Sequence, residues 1–147
     1  FPGTIGSLVT TLMLFYLFQI KNISPALILT VLLIFFVYSF YAVSEYIKNN
    51  QNKDPSEIII DEFLGQSIPI YLYEISHGTT KEFNEAIIYY SVFFILFRYF
   101  DIMKPFPVNY FDKNFKNSFG VIMDDIIAGF YVVITLVCFM IIKSYVL

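Results

Sequence analysis

Asp61 and Glu62 in IIIDEFLG, Asp101 in FRYFDIMKPFP, and Asp124 and Asp125 in GVIMDDIIAG sit at the ends of otherwise apolar stretches. A charged side chain in a bilayer-embedded helix costs about 2.5 kcal/mol or more on insertion scales, so such groups usually face a polar interior and mark function. The nearby cations are Arg98 and Lys104. Five acids against two bases leave a negative excess that a partly dry cleft does not tolerate. Divalent cations resolve it, because carboxylate oxygens are hard ligands suited to Mg²⁺, Mn²⁺ or Ca²⁺, and Mg²⁺ binds through one or two carboxylates plus substrate phosphate oxygens. Zinc is disfavoured, His77 being the only histidine and Cys138 the only thiol. Lys104, followed by Pro105 and Pro107, leaves its helix in a restricted direction and can bind phosphate as a point charge.

Each residue taken singly also has a plainer reading. An acid in a first helical turn is favoured by the helix dipole, which would suffice for Asp61 or Asp125. Arg98 can pair with Asp101 three residues on or snorkel to the interface. Glu45 reads as solvated, His77 as a loop residue, Cys138 as packing, and the many Phe and Tyr as lipid-facing, core or interface-belt groups. It is the gathering of three acidic motifs around one cationic motif that favours chemistry.

The elements that would position these groups are membrane helices. The chain is 58% hydrophobic, 20% aromatic and 14% charged, with a net charge of −3, and its mean hydropathy is +0.70. That exceeds the apolar share of a soluble domain, about half. Nine Lys and Arg argue against a nucleic-acid partner, which wants a basic surface. One cysteine excludes an intramolecular disulfide. A chain that opens on Phe rather than Met is expected to begin inside a longer protein. Five apolar segments, 5–20, 26–47, 58–75, 86–103 and 121–142, are each closed by a turn or charge signal. They predict an all-α, polytopic membrane bundle of about five helices in one domain spanning 1–147. Segments one, two and five read as full helices. Three and four, interrupted by charge, can be shorter, tilted or partly interfacial. A β-barrel is disfavoured, since the runs lack period-two alternation.

Threading the five helices up and down puts Phe1, loop 48–57 and loop 104–120 on one side, and loops 21–25 and 76–85 on the other. The first side then holds Lys48, Lys53, Lys104, Lys113 and Lys116 against Lys21 and Lys81, which makes it cytoplasmic by the positive-inside rule. The same threading brings Asp61-Glu62, Asp101, Asp124-Asp125 and the segment Pro2–Ser7 to that one rim. Asp61 and Gly65 are four apart, as are Asp124 and Ala128, and Asp125 and Gly129, so acid and small residue share a face. Small residues admit close backbone approach, which would draw the acids of helices three and five together.

The set PGTIGSL, DEFLG, FRYFDIMKPFPV and GVIMDDIIAG, in this order and spacing from Pro2 to Gly129, resembles the bacterial phosphatidylglycerophosphatase A family. The combination of FDxxKPxP with DDxxAG is specific. The resemblance implies an Mg²⁺-dependent, multi-pass inner-membrane phosphatase that converts phosphatidylglycerophosphate to phosphatidylglycerol. It implies that Asp61, Glu62, Asp101, Lys104, Asp124 and Asp125 line the site. The expected assignment has Asp61, Asp101, Lys104 and Asp125 catalytic, and Asp61, Glu62, Asp101, Asp124 and Asp125 on the metal. Lys104, Arg98, Thr4 and Ser7 are expected to meet the substrate.

Competing readings come from other classes. A cation transporter prefers acids near the midplane rather than at one rim, and a purely structural protein needs none. A histidine-nucleophile phosphatase is disfavoured with a single histidine. A metal-dependent headgroup phosphotransferase is the nearest alternative, and the choice between water attack and an aspartyl-phosphate stays open.

Overall fold

The structure, a computed structural model, describes residues 2–50, 58–77 and 82–146. Residues 51–57 and 78–81, within the expected loops 48–57 and 76–85 and including Lys53 and Lys81, lie outside these residues, as do Phe1 and Leu147. The helices are α1 (Pro2–Phe15), continued by a π-helical stretch at Tyr16–Ile20, then α2 (Pro25–Asn49), α3 (Ile60–His77), α4 (Phe83–Met103), α5 (Val108–Asn114) and α6 (Ser118–Val146). No strand occurs among the described residues, as expected for an all-α bundle.

Local chemistry sets several of these bounds. Pro25 opens α2 where its missing N–H is no loss, and the Ser24 side chain accepts a bond from the Leu27 N–H. Asn117 opens α6 in the same way, its Oδ1 accepting from the Gly120 N–H at 3.1 Å. Lys104 closes α4 in the left-handed region, at φ 43°. That conformation is uncommon for a residue with a Cβ, and the proline after it narrows the choice further. The expected loop 104–120 holds one element that the hydropathy pattern did not mark, the two-turn helix α5. Seven residues with four polar ones among them give no apolar run to detect; the helix exists because Val108 is buried in the bundle core.

Among the described residues, four helical stretches are long and apolar enough to cross a membrane: Pro2–Ile20, Pro25–Asn49, Phe83–Met103 and Ser118–Val146. Segment four is therefore a full-length helix despite its charges. Segment three takes a different place. Helix α3 buries nine of its 18 residues, against three of 25 in α2, so it is the interior helix around which the apolar ones pack. Its longest interface is with α6, and it also touches α1, α2 and α4. Ile70 and Tyr73 of α3 join Leu14, Tyr90, Phe93, Phe97 and Val132 in the main core. A smaller cluster of Val43, Ile58, Leu64 and Ile122 fills the gap toward α2. Residues such as Ile34, Val37, Ile134 and Ile142 stay more than half exposed, as suits contact with lipid.

Two features of α3 bring it close to α6. A Cβ at Gly65 would fall on the Asp125 backbone carbonyl, and one at Gly129 would fall on the Gly65 carbonyl. Pro69 lies within the helix and carries no N–H, so the Gly65 carbonyl lacks its usual i+4 donor. Small residues on both helices thus let two backbones meet where the carbonyl is most available. At the far end of α3, buried Glu74 accepts bonds from Gln19 Nε2 and Tyr90 Oη, both at 2.7 Å. This polar tie joins the π-helical stretch after α1 to α3 and α4, opposite the acidic end. The hydroxyls of Ser7, Thr10 and Thr11 donate to carbonyls one turn back in α1, which lets polar residues be buried without loss.

Candidate active site

Three elements carry the acids to one end of the bundle. Asp61 and Glu62 occupy the first turn of α3, and Asp124 and Asp125 lie two turns into α6. Asp101 sits in the last turn of α4, with Lys104 closing it. The first turn of α1 completes the rim, for Gly3 lies against the Glu62 carboxylate and the Arg98 guanidinium. The convergence expected from threading is the observed arrangement.

Within the rim the acids divide into two groups. Asp61, Glu62 and Asp125 each place one carboxylate oxygen within 4.8 Å of the others, a spacing able to hold a metal ion. Asp61 and Asp125 are buried, and Glu62 Oε2 is buried with no hydrogen-bond partner. An unpartnered anionic oxygen among two further carboxylates is what a cation would satisfy. The chain is thus a fit for a metal at this point, and the donor set, all oxygen, suits a hard ion. Asp61 and Asp124 also each accept the N–H of the following residue, at 2.9 Å. That bond fixes which way each carboxylate faces.

Asp101 and Asp124 lie outside the three-oxygen cluster, and each holds a cation. Asp101 pairs with Arg98, both side chains less than a fifth exposed. Asp124 Oδ2 receives Lys104 Nζ at 3.1 Å, and the same ammonium donates to Asp112 Oδ1 at 2.7 Å. Burial pulls the Lys104 ammonium down, but Asp112 and Asp124 outweigh it, and the net effect holds it above the ordinary lysine value. Thr4 is half-buried in the first turn of α1, whereas Ser7 is wholly buried and spends its hydroxyl on the Gly3 carbonyl.

Two residues escaped the reading of the sequence. Asp112 lies in the expected loop 104–120; Pro105 and Pro107 before Val108 allow a helix to start there, but only the packing of that helix sets Asp112 beside Lys104. Gln66 is fully buried one turn below Glu62, and neither of its amide atoms has a partner; a lone glutamine in an apolar run carries no mark in sequence. Beside the acids opens a cavity of about 330 Å³ lined by Asp61 and Asp124 together with residues of α2, α5 and the α5–α6 turn. Its size is at the small end of ligand sites.

A family model described as phosphatidylglycerophosphatase A matches residues 1–140. The chain belongs to the phosphatidylglycerophosphatase A family. It is 35% identical over 133 residues to a phosphatidylglycerophosphatase A of Haemophilus influenzae, covering 90% of this chain and 75% of that protein. A phosphatidylglycerophosphatase A of Escherichia coli is 28% identical over 132 residues, 87% of this chain and 67% of its own length. A Bacteroides thetaiotaomicron protein provisionally named a phosphatidylinositol-3-phosphatase is 30% identical over 131 residues, 88% of this chain and 77% of that protein. No solved structure matches the chain significantly. Membership in the phosphatidylglycerophosphatase A family makes the chain an enzyme, a phosphatase, and its acidic cluster is the part able to hold a metal.

Proposed function

We propose that the chain hydrolyses the terminal phosphomonoester of phosphatidylglycerophosphate, a step of phospholipid biosynthesis that yields phosphatidylglycerol and phosphate. The single observation that supports this most is the meeting of Asp61, Glu62 and Asp125 within 4.8 Å beside a lysine held in place by two further acids. The substrate named by two relatives fits it. The site is at one end of helices able to span a bilayer, so a lipid can keep its acyl chains in the membrane while its terminal phosphate reaches the acids.

In this reading Asp61, Glu62 and Asp125 hold Mg²⁺, with Asp101 and Asp124 bordering it as further ligands or as holders of the cations. When bound, the ion polarises phosphoryl oxygens and neutralises charge on them. Lys104 meets the same phosphate as a point charge, and its left-handed backbone and two carboxylate partners keep the ammonium aimed. Arg98, pinned by Asp101, presents the guanidinium edge that faces the start of α1. The first-turn N–H groups of α1, around Thr4, have no intrahelical acceptor by position and add donors for an anion. Ser7 acts from behind by securing that turn. Hydrolysis breaks the ester P–O bond, water supplies the new oxygen, and the leaving glycerol oxygen takes up a proton.

Orientation follows the charge count. The lysine-richer side, which carries the acids, faces the cytoplasm of a bacterial inner membrane.

The test is phosphate release by the purified chain from phosphatidylglycerophosphate in mixed micelles. Phosphatidylglycerol plus stoichiometric phosphate is expected, unchanged when a competing alcohol is added. Phosphate found on an added alcohol instead of free in solution would make the enzyme a phosphotransferase.

A further inference from the structure

The cavity beside the acids has a cation that the reaction described above does not use. Its walls include Tyr46 from the end of α2, Ile58 before α3, Asp61, Asp112 of α5, Lys116 of the α5–α6 turn, and Asp124. Ser44 Oγ donates to Ser118 Oγ at 2.9 Å, tying the end of α2 to the start of α6, so the two sides of the cavity are fastened together. Lys104 is committed to Asp112 and Asp124. Lys116, by contrast, has no ion-pair partner among the described residues, and it is exposed on the cavity wall.

A lipid headgroup with a terminal phosphomonoester and an internal phosphodiester brings two anions into this space. The monoester goes to the metal and Lys104. The other charged walls of the cavity, Asp61, Asp112 and Asp124, are engaged with the metal and Lys104, so among the described residues Lys116 is the one cation of the lining left to attract the diester. A volume of about 330 Å³ admits a glycerol-sized headgroup and leaves the acyl chains outside.

We infer that Lys116 binds the internal phosphodiester of the lipid substrate and so selects headgroups that carry a diester in addition to the scissile monoester. This rests on the lipid phosphatase reading above. Lys116 is a specificity residue and takes no part in bond breaking. Because it is exposed, its contribution is modest and is screened by salt.

The test uses the full chain in lipid nanodiscs, with wild type, Lys116→Gln and Lys116→Arg assayed on phosphatidylglycerophosphate at low and high salt. Lys116→Gln is expected to raise KM by about three- to tenfold with kcat unchanged. The difference should shrink at high salt, and Lys116→Arg should restore KM. Inhibition by inorganic phosphate, which probes the monoester position alone, should keep the same Ki in all three. An unchanged KM in Lys116→Gln overturns the inference. So does a fall in kcat, or a weakened phosphate Ki, since either would put Lys116 at the reacting phosphate or in the fold. Failure of the wild type to release phosphate from this lipid would instead refute the substrate reading itself.

Discussion

The backbone carbonyl of Asp125 occupies the place where a side chain on Gly65 would begin. Two helices therefore touch at backbone distance one turn below the acids, and this contact sets how near Asp61 of α3 comes to Asp125 of α6.

Replacing Gly65 with alanine must push the two backbones apart, because the Asp125 carbonyl oxygen and carbon that its Cβ would meet are main-chain atoms and not a flexible end that can swing away. Overpacking of this kind costs about 1–3 kcal/mol. Gly65→Ala is expected to lower the unfolding temperature in detergent and to reduce phosphate release by more than the stability loss explains. A variant as active as wild type would show that the acids do not depend on this contact.

Asp61→Asn and Asp125→Asn keep size but remove ligand charge. Phosphate release should fall about a hundredfold or more while the protein still inserts and purifies. Glu62→Gln should behave differently in the metal-free protein: it removes a charge from a buried oxygen that has no partner, so the chelated variant should unfold at a higher temperature than chelated wild type. Lower stability in that comparison would mean that Glu62 has a partner inside the fold.

Chelation should abolish activity and Mg²⁺ restore it, with Ca²⁺ a poor substitute because its larger, more flexible coordination sphere misplaces water and phosphate. Full activity after exhaustive chelation would remove the metal from the reaction.

For Lys104 the direction of the shift gives a pH prediction. Its ammonium is held above the ordinary value by Asp112 and Asp124, which outweigh the opposing effect of burial. A raised folded-state pKa contributes stability that is complete below the unfolded value, about 10.4, and is lost only as pH rises through the higher folded value. Activity that needs this charge should therefore persist to about pH 10. Lys104→Met should lose most phosphate release at every pH, and Asp112→Asn should bring an alkaline limb of the rate profile to lower pH. An unmoved limb in Asp112→Asn would show that another group sets it.

Topology can be read with single cysteines at Asn22, Asn50 and Asn114 in a Cys138→Ala background. An impermeant thiol reagent on intact cells should mark position 22 and spare 50 and 114. Labelling of both 50 and 114 would turn the acidic end outward, and labelling of 50 but not 114 would split Asp61-Glu62 from Asp124-Asp125 across the membrane.

The sequence alone was sufficient for the class of fold and for the rim. Long uncharged runs have no stable home but lipid, and up-and-down threading of such runs decides which motif ends share a side, before any contact is known. The four-residue spacing of Asp61 to Gly65 and of Asp125 to Gly129 likewise foretold that α3 and α6 meet closely, since a helix stacks residues four apart on one face. What needed the tertiary structure was every relation between side chains on different helices. Hydropathy marks α3 as the weakest membrane segment, whereas packing makes it the interior helix, a position that depends on the other helices covering it. Five acids on one rim look equivalent in sequence. Only the packed helices separate Asp61, Glu62 and Asp125, which share a space, from Asp101 and Asp124, which hold Arg98 and Lys104. The places of Asp112 and, just after the short helix α5, of Lys116 were decided in the same way: that helix is stabilised by the core it rests on, and the core is made by residues far away in the chain.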